Sequence, residues 1–527
     1  MADECHPEST FDKSDCDLLP WLNVSREDSS PFVHRFKTRR QAYAYDVNTR
    51  RIIRVSSIVW DLLEDYGHLD EGDIVSKHSD RYGEDEITTA LGEIALARKQ
   101  NGLFLSVRPE QVVLPDREEI GKRLEEERKQ LVLNVTDDCN FRCSYCVYGG
   151  NHQQYRTHSP KSMSWEVARL AIDEFLAHSR CADSRVISFY GGEPLLNLPL
   201  IRRCVAYAEQ NCADREVGFS MTTNASLLRG ETSEFLAAKT FMIVVSLDGP
   251  SEIHDRHRRT KGDQPTWERV LSNVRDFLEA HPEYRTNNRM RFTAVANGAT
   301  DLASAQRFWS SEEAFTETMG LQVSPQKQTT AEPVVRSPDD PLTRTGKALY
   351  GEFIESLVSG RFGDERSHRS RWLHAALFER AFLDFHKRGF FSPHLPHKMT
   401  FLNHCVPGAR RTFVNTEGDY FACERVVPCS EQVIGNVRQG VQLDRVMVLL
   451  TQWAEPSREE CRYCWCLPTC RAGCVATVES DGVVTEEAKK TACASHRRQM
   501  HETITEYCSI LEENPSAFDY MADFQVQ

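Results

Sequence analysis

Two groups of cysteines constrain this chain more than any other feature. Of its 18 cysteines, Cys139, Cys143 and Cys146 fall within one short stretch, and Cys405, Cys423, Cys461, Cys464, Cys470, Cys474 and Cys493 form a second, wider group. The first residues, MADECHPEST, lack the basic-then-apolar pattern of an export signal. No apolar run reaches the ~18–20 residues of a membrane span. A cytoplasmic protein with no membrane partner is therefore expected, and there thiolate ligation of metal is a stronger explanation for cysteines than a disulfide framework.

The rest of the composition is that of an ordinary globular protein, 40% apolar and 27% charged. A formal net charge of −14 argues against a general polyanion-binding surface, and no nucleic-acid partner is expected. Along the chain, residues 1–27 are polar, lack periodicity and read as a disordered lead. Residues 28–110 read as a small winged-helix-like domain. Its strands are Ala42–Asp46 and Arg51–Ser56, its helices Ser57–Tyr66 and Glu84–Lys99, and Leu103–Val107 closes it. Residues 111–130 read as a charged helical linker rather than core.

Between 131 and 325 strand-like and helical runs alternate. Strands are predicted at Leu131–Val135, Val186–Tyr190, Val217–Thr222, Met242–Leu247 and Met290–Val295. Helices are predicted at Ser164–Ser179, Leu198–Cys212, Glu231–Ala238 and Thr266–Ala280. Repeated βα units imply an α/β fold with a parallel sheet, helices outside and an active site at the carboxyl ends of the strands. Residues 326–400 read as a linker and helical insertion, with the Pro/Thr-rich stretch 325–345 as linker or lid and Ala348–Lys387 helical. Residues 401–510 read as a metal-stabilised domain short on long periodic elements, and 511–527 as a tail.

The loop Cys139-Asn-Phe-Arg-Cys143-Ser-Tyr-Cys146 directly follows the first strand. Three thiolates so spaced can hold three irons of a 4Fe–4S cluster and leave the fourth iron open. A structural zinc would want a fourth ligand, for which His152 is the near candidate. With Tyr145 before the last cysteine, this loop resembles that of the radical SAM enzymes, and further segments agree after the next three strands. Gly191-Gly192-Glu193-Pro194 resembles the segment that binds the methionine amino group of S-adenosylmethionine. Ser220, Thr223 and Asn224 resemble the ribose-contacting region, with Ala225 where most members have glycine. Ser246-Leu247-Asp248-Gly249-Pro250, then His254, Asp255 and Arg258, resembles a segment of peptide-modifying members in which the arginine can hold a carboxylate. The resemblance implies a partial (β/α)6 TIM-like barrel and hydrogen abstraction by a 5′-deoxyadenosyl radical, with a flavodoxin- or ferredoxin-type electron donor.

The second cysteine group is similar to the SPASM domain of peptide- and protein-modifying radical SAM enzymes. That resemblance implies two auxiliary 4Fe–4S clusters, three in all. Cys461, Cys464, Cys470 and Cys493 would hold the outer one, and Cys405, Cys423 and Cys474 the inner one. The inner set is a ligand short: Cys429 or Cys466 completes it, or the site is open, the favoured reading. A zinc ribbon is the alternative chemistry. Glu424, next to Cys423, stands where sulfatase-maturing relatives carry an acidic residue and is a candidate base; a surface carboxylate is an equal reading. The N-terminal domain resembles the peptide-recognition domain of peptide maturases, which binds a leader as an added strand. Together these imply a maturase of a ribosomally made precursor peptide, forming a thioether from cysteine to carbon. Formylglycine formation, amine dehydrogenase subunit maturation, carbon–carbon crosslinking and epimerisation are the alternatives. A non-catalytic scaffold with zinc in both cysteine groups is the rival outside the family.

Overall fold

The computed structural model describes residues 29–146, 148–149, 157–212, 216–316, 319–326, 339–365, 371–387, 395–400, 405–470, 476, 479–480 and 483–522. Three antiparallel strands come first, β1 (Val33–Lys37), β2 (Ala42–Asp46) and β3 (Ile52–Val55), with β2 in the middle. Helices α1 (Ser57–Leu62), α2 (Glu71–His78) and α3 (Glu84–Asn101) follow. Alternation along the strands divides the sheet's contacts. Ala44 packs with Val59, Leu62, Ile87, Leu91 and Ile94 of the helices. Phe36 and Tyr45 turn the other way, toward the C-terminal part of the chain. Leu103–Leu105 closes the unit without forming a strand: the Phe32 N–H and Asn48 Nδ2 donate to the Leu105 carbonyl, and the Phe104 N–H donates to Asp46 Oδ2.

A short strand β4 (Gln111–Val113) and helix α4 (Arg117–Glu126) lead to the main sheet. The linker expectation is corrected here: Ile120 and Leu124 of α4 are buried in the main core. The charged residues of α4 occupy its other faces, and two apolar side chains four residues apart suffice to seat it.

Six parallel strands lie side by side in the order β10-β9-β8-β7-β6-β5: β5 (Gln130–Thr136), β6 (Val186–Gly191), β7 (Gly218–Thr223), β8 (Met242–Ser246), β9 (Met290–Ala296) and β10 (Gly320–Pro325). Between them run α5 (Trp165–Ala177), α6 (Leu198–Asn211), α7 (Glu231–Ala238), α8 (Ser251–His257), α9 (Trp267–Ala280) and α10 (Leu302–Ser311). Each predicted strand and helix of this region is present within two residues; β10, α8 and α10 are additions. One sheet face, with Leu131, Leu133, Ile187, Phe189, Met221 and Val245, packs on the helices. The opposite face carries Gln130, Val132, Ser188, Tyr190 and Ser220.

Beyond β10 come α11 (Pro341–Val358), α12 (Arg361–Glu365), α13 (Trp372–His374) and α14 (Arg380–His386). Most of the proposed lid, 327–338, lies outside the described residues, as do the N-terminal lead and His152. Strand β11 (Lys398–Thr400) pairs with β4. The cysteine-rich region then adds to the main sheet: β12 (Thr412–Val414) pairs parallel with β5. Strands β13 (Asp419–Phe421), β14 (Val433–Asn436) and β15 (Gly440–Val441) continue antiparallel, making ten strands. Helices α15 (Leu443–Ala454), α16 (Arg458–Cys461) and α17 (Glu486–Glu513) follow. The expectation of few long elements is corrected by α17, whose 28 residues carry Cys493. It went unread because its buried positions, Lys489, Arg497, Met500, Ile504, Tyr507, Cys508 and Ile510, mix charge with apolar residues. The expected tail also packs, with Phe518 and Met521 buried beside α17. Among the described residues no helix is long and apolar enough to cross a membrane.

Candidate active site

The loops after β5–β8 meet at one end of the sheet. Burial is the main force pushing the thiols of Cys139, Cys143 and Cys146 up from their ordinary values; Cys143 and Cys146 raise Cys139 further, and Cys146 raises Cys143. Their surroundings suit thiolates. The Phe141 N–H donates to Cys139 Sγ at 3.4 Å, the Tyr148 N–H to Cys146 Sγ at 3.4 Å, and Asn224 Nδ2 to Cys139 Sγ at 3.8 Å. Among the described residues, no three His, Cys, Asp or Glu groups sit close enough to share one metal ion. Three thiols on one loop, with N–H donors beside two of them, suit a cluster whose irons each take one thiolate.

Why the second loop begins with two glycines is visible in their contacts. A Cβ on Gly191, which has φ +140°, would lie 2.2 Å from the Thr136 carbonyl oxygen, and one on Gly192 would lie 2.2 Å from that of Asp138. The missing side chains let the Gly192 N–H donate to Thr136 O and the Glu193 N–H to Asp138 O, both at 2.9 Å. The second loop is thereby locked against the stem of the cysteine loop. Pro194 then opens a 3-10 turn.

Glu193 ties in the third loop. Its fully buried carboxylate accepts from Thr223 Oγ1 at 2.7 Å and the Asn224 N–H at 2.7 Å, and from the Leu195 N–H at 3.1 Å. Burial pushes its carboxyl up to about 7 despite these bonds. Asn224 Nδ2 donates to Asn140 Oδ1 at 2.9 Å, and Asn140 Nδ2 to Ser226 Oγ at 2.8 Å, returning the network to the cysteine loop. Ala225 stands at φ 57°, a left-handed conformation that costs a non-glycine residue about 1 kcal/mol. It is fully buried, and its carbonyl accepts from Asn273 Nδ2. Asn140 and Ser226 escaped the sequence reading because neither is chemically distinctive by itself.

The fourth loop is fixed by a buried charge pair. Arg258 Nε donates to Asp248 Oδ2 at 3.0 Å, the Tyr145 hydroxyl donates to the same oxygen, and the Val295 N–H donates to Asp248 Oδ1. Arg258 also counters the burial that pushes Cys143 up. His254 is buried, within 3.1 Å of Thr266 Oγ1, and burial with Arg258 nearby holds its imidazole down to about 3. Asp255 accepts from the Thr266 and Trp267 N–H groups and so starts α9. Ser246 ends β8 below this network.

Ser220 points elsewhere. Its hydroxyl bonds Ser188 Oγ at 2.6 Å, which accepts from Gln130 Nε2 at 2.6 Å; Gln130 Oε1 accepts from Arg411 Nε at 2.9 Å, and Arg411 pairs with Glu424 at 2.6 Å. This polar strip crosses the sheet face opposite the helices, from β7 to the cysteine-rich region. Cys423, beside Glu424, packs with Tyr190 and Val132 on that face. The bond of Arg411 to Glu424 needs the fold to be seen.

The thiols of the second group separate. Cys461, Cys464, Cys470 and Cys493 lie together, each electrostatically coupled to others of the set. Cys466 is buried with them, hydrogen-bonded to Cys464. Cys429 instead hydrogen-bonds Glu431. Cys405 is exposed and Cys423 half-buried, with the Arg425 N–H donating to Cys423 Sγ. Cys474 lies outside the described residues.

Comparison with known proteins bears on the first group directly. Residues 133–290 match the Radical SAM superfamily. The chain is 28% identical over 152 residues to the serine-type anaerobic sulfatase-maturating enzyme of Bacteroides thetaiotaomicron, covering 29% of this chain and 36% of that one. It is 29% identical over 184 residues to the radical SAM cyclopropyl synthase TigE of Paramaledivibacter caminithermalis, covering 33% and 37%. The chain thus spans little more than a third of the length of these two relatives. The solved structure of native anSMEcpe with bound AdoMet superposes with a TM-score of 0.53 at 17% identity, over 75% of this chain and 100% of that one, a likeness of fold. With the three thiols on the loop after β5, and the loops of β6–β8 bonded around them, the chain carries a Radical SAM superfamily domain over residues 133–290.

Proposed function

We propose that this chain matures a ribosomally made peptide. Cys139, Cys143 and Cys146 would hold the cluster, which with S-adenosylmethionine would supply a 5′-deoxyadenosyl radical for hydrogen abstraction. The chain's own residues bind, orient and enclose. The Gly191–Pro194 segment offers its backbone toward the methionine end, with Thr223 and Asn224 beside the ribose. Tyr145, Asp248 and Arg258 keep the cysteine loop registered on the fourth strand, and Ser246 completes the rim. Cys461, Cys464, Cys470 and Cys493 would hold an outer auxiliary cluster, and Cys405, Cys423 and Cys474 would supply three ligands of an inner one. Cys423 packs on the sheet face that the helices leave uncovered, so a substrate thiolate at the remaining ligand position would face the reaction chamber. Glu424, oriented by Arg411, is the nearby carboxylate for the substrate side chain.

The observation that carries a peptide substrate is the N-terminal unit. Its three-stranded sheet ends in the edge strand β3, which can accept an added leader strand through main-chain hydrogen bonds. The favoured product is a thioether between a cysteine and a neighbouring carbon. Sulfatase maturation is the second reading, favoured by the sulfatase-maturating relatives of the radical SAM domain. Co-expression with a cysteine-containing peptide encoded beside the gene, followed by mass measurement, separates them. Loss of two hydrogens per event with the thiol no longer alkylatable is expected. The same loss with a free thiol would replace the thioether by a carbon–carbon bond. An unmodified peptide, alongside conversion of a sulfatase-derived peptide to formylglycine, would overturn the peptide reading.

A further inference from the structure

We propose that Lys489 and Arg497 are the charge partners of the outer thiol set and raise the reduction potential of the cluster it holds. The inference rests on the outer-ligand assignment made above. Helix α17 carries Lys489, Cys493 and Arg497 at positions i, i+4 and i+8, so the ligand cysteine stands on one stripe between two cations. Both cations are buried, with 2% and 9% of their surface exposed. Lysine and arginine are seldom so deep without compensating charge, because removing an ammonium or guanidinium from water is costly.

The neighbours supply that compensation. The Lys489 ammonium lies 4.5 Å from the centre of the Trp453 ring, and Cys493, Cys461 and Cys470 are the groups that support its charge against burial. Arg497 hydrogen-bonds Cys464. Cys493 feels both cations. All four outer thiols are thus reached by one cation or the other. Trp453 and Trp465, with Leu467 and Val484, complete an apolar surround, where such charges interact more strongly than in water.

A cluster on four thiolates is anionic and gains a further negative charge on one-electron reduction. Fixed cations at its edge, and a donor on a ligand sulfur, stabilise the reduced form more than the oxidised form. The pair therefore makes the outer site a better electron acceptor than four cysteines alone.

The test uses the full chain with Cys139, Cys143, Cys146, Cys405 and Cys423 all replaced by alanine, reconstituted with iron and sulfide without oxygen. Its readouts are iron content and a potentiometric titration followed by visible absorption and EPR. About four irons are expected in this parent. Adding K489M or R497M should leave the iron in place but lower the ratio of reduced to oxidised cluster at a fixed potential about tenfold, which is about 59 mV for one electron. K489R should restore the parent's midpoint. If a methionine variant takes up no iron, K489Q, which drops the charge but keeps a polar side chain, carries the same expectation. Midpoints unchanged with iron fully bound would overturn the proposal while leaving the ligand assignment intact. A parent that binds no iron would overturn the assignment and the proposal together.

Discussion

The two cysteine groups assemble in different ways. The first sits on one loop, directly after β5, and the loops of the next three strands close around it through bonds to Glu193, Asn224 and Asp248. Its chemistry is local in sequence and its support comes from consecutive βα units. The outer part of the second group takes Cys461, Cys464 and Cys470 from a turn-rich stretch and Cys493 from the long helix α17. Among the described residues that region pairs with the parallel strands through β12, which joins β5 from far along the chain. A reactive centre built on one loop can be read from spacing; a centre built by long-range packing needs the fold.

The contrast can be broken most sharply at the thiols. C143A is expected to abolish cleavage of S-adenosylmethionine altogether and to remove about four irons. C461A is expected to remove about four irons while leaving cleavage in place and ending peptide conversion. Equal loss of cleavage in both variants would show that the two groups act as one. Next in size, G192A should cost about 3 kcal/mol or more of stability to chemical unfolding, because its Cβ would meet the Asp138 carbonyl oxygen at 2.2 Å. Cleavage should fall with it as the second loop lifts from the first. A G192A protein of parental stability would mean that the two loops are not locked together.

A pH measurement sharpens the account of the fourth loop. The imidazole of His254 is held down to about 3 in the folded chain, below the ordinary 6.5 of the unfolded one. As pH falls, the unfolded chain takes up this proton first. His254 therefore contributes stability that is complete above about pH 6.5 and is lost as the pH drops toward 3. The slope is at most about 1.4 kcal/mol per pH unit. H254Q should flatten unfolding free energy against pH in that window; an unchanged slope would place the histidine's proton elsewhere. The smallest effect is expected at Ala225. A225G relieves the left-handed strain but frees the unfolded backbone and removes a buried methyl, so stability should change by no more than about 1 kcal/mol.

Legibility in the sequence follows the same division. Glu231–Ala238 matches its predicted helix residue for residue, and Met242–Ser246 differs from its predicted strand by one, because apolar periodicity and punctuation agree there. Gly191, Gly192 and Glu193 were legible as a motif, but their work was not: the glycines permit loop-to-loop contact, and Glu193 bonds the third loop. The polar strip from Ser220 through Gln130 and Arg411 to Glu424 was invisible, since its members come from four separate stretches of chain. Helix α4 was misread because its charges outnumber Ile120 and Leu124, the two residues that bury it. Lys489 and Arg497 could have been found from their spacing about Cys493, had α17 been recognised as a helix.

The most direct test of the central claim is whether the full chain, reconstituted with iron and sulfide and reduced with dithionite, converts S-adenosylmethionine to 5′-deoxyadenosine. The account requires steady formation by the parent chain and none when Cys139, Cys143 and Cys146 are all alanine. Intact S-adenosylmethionine in the presence of a parent chain carrying its full iron would contradict it.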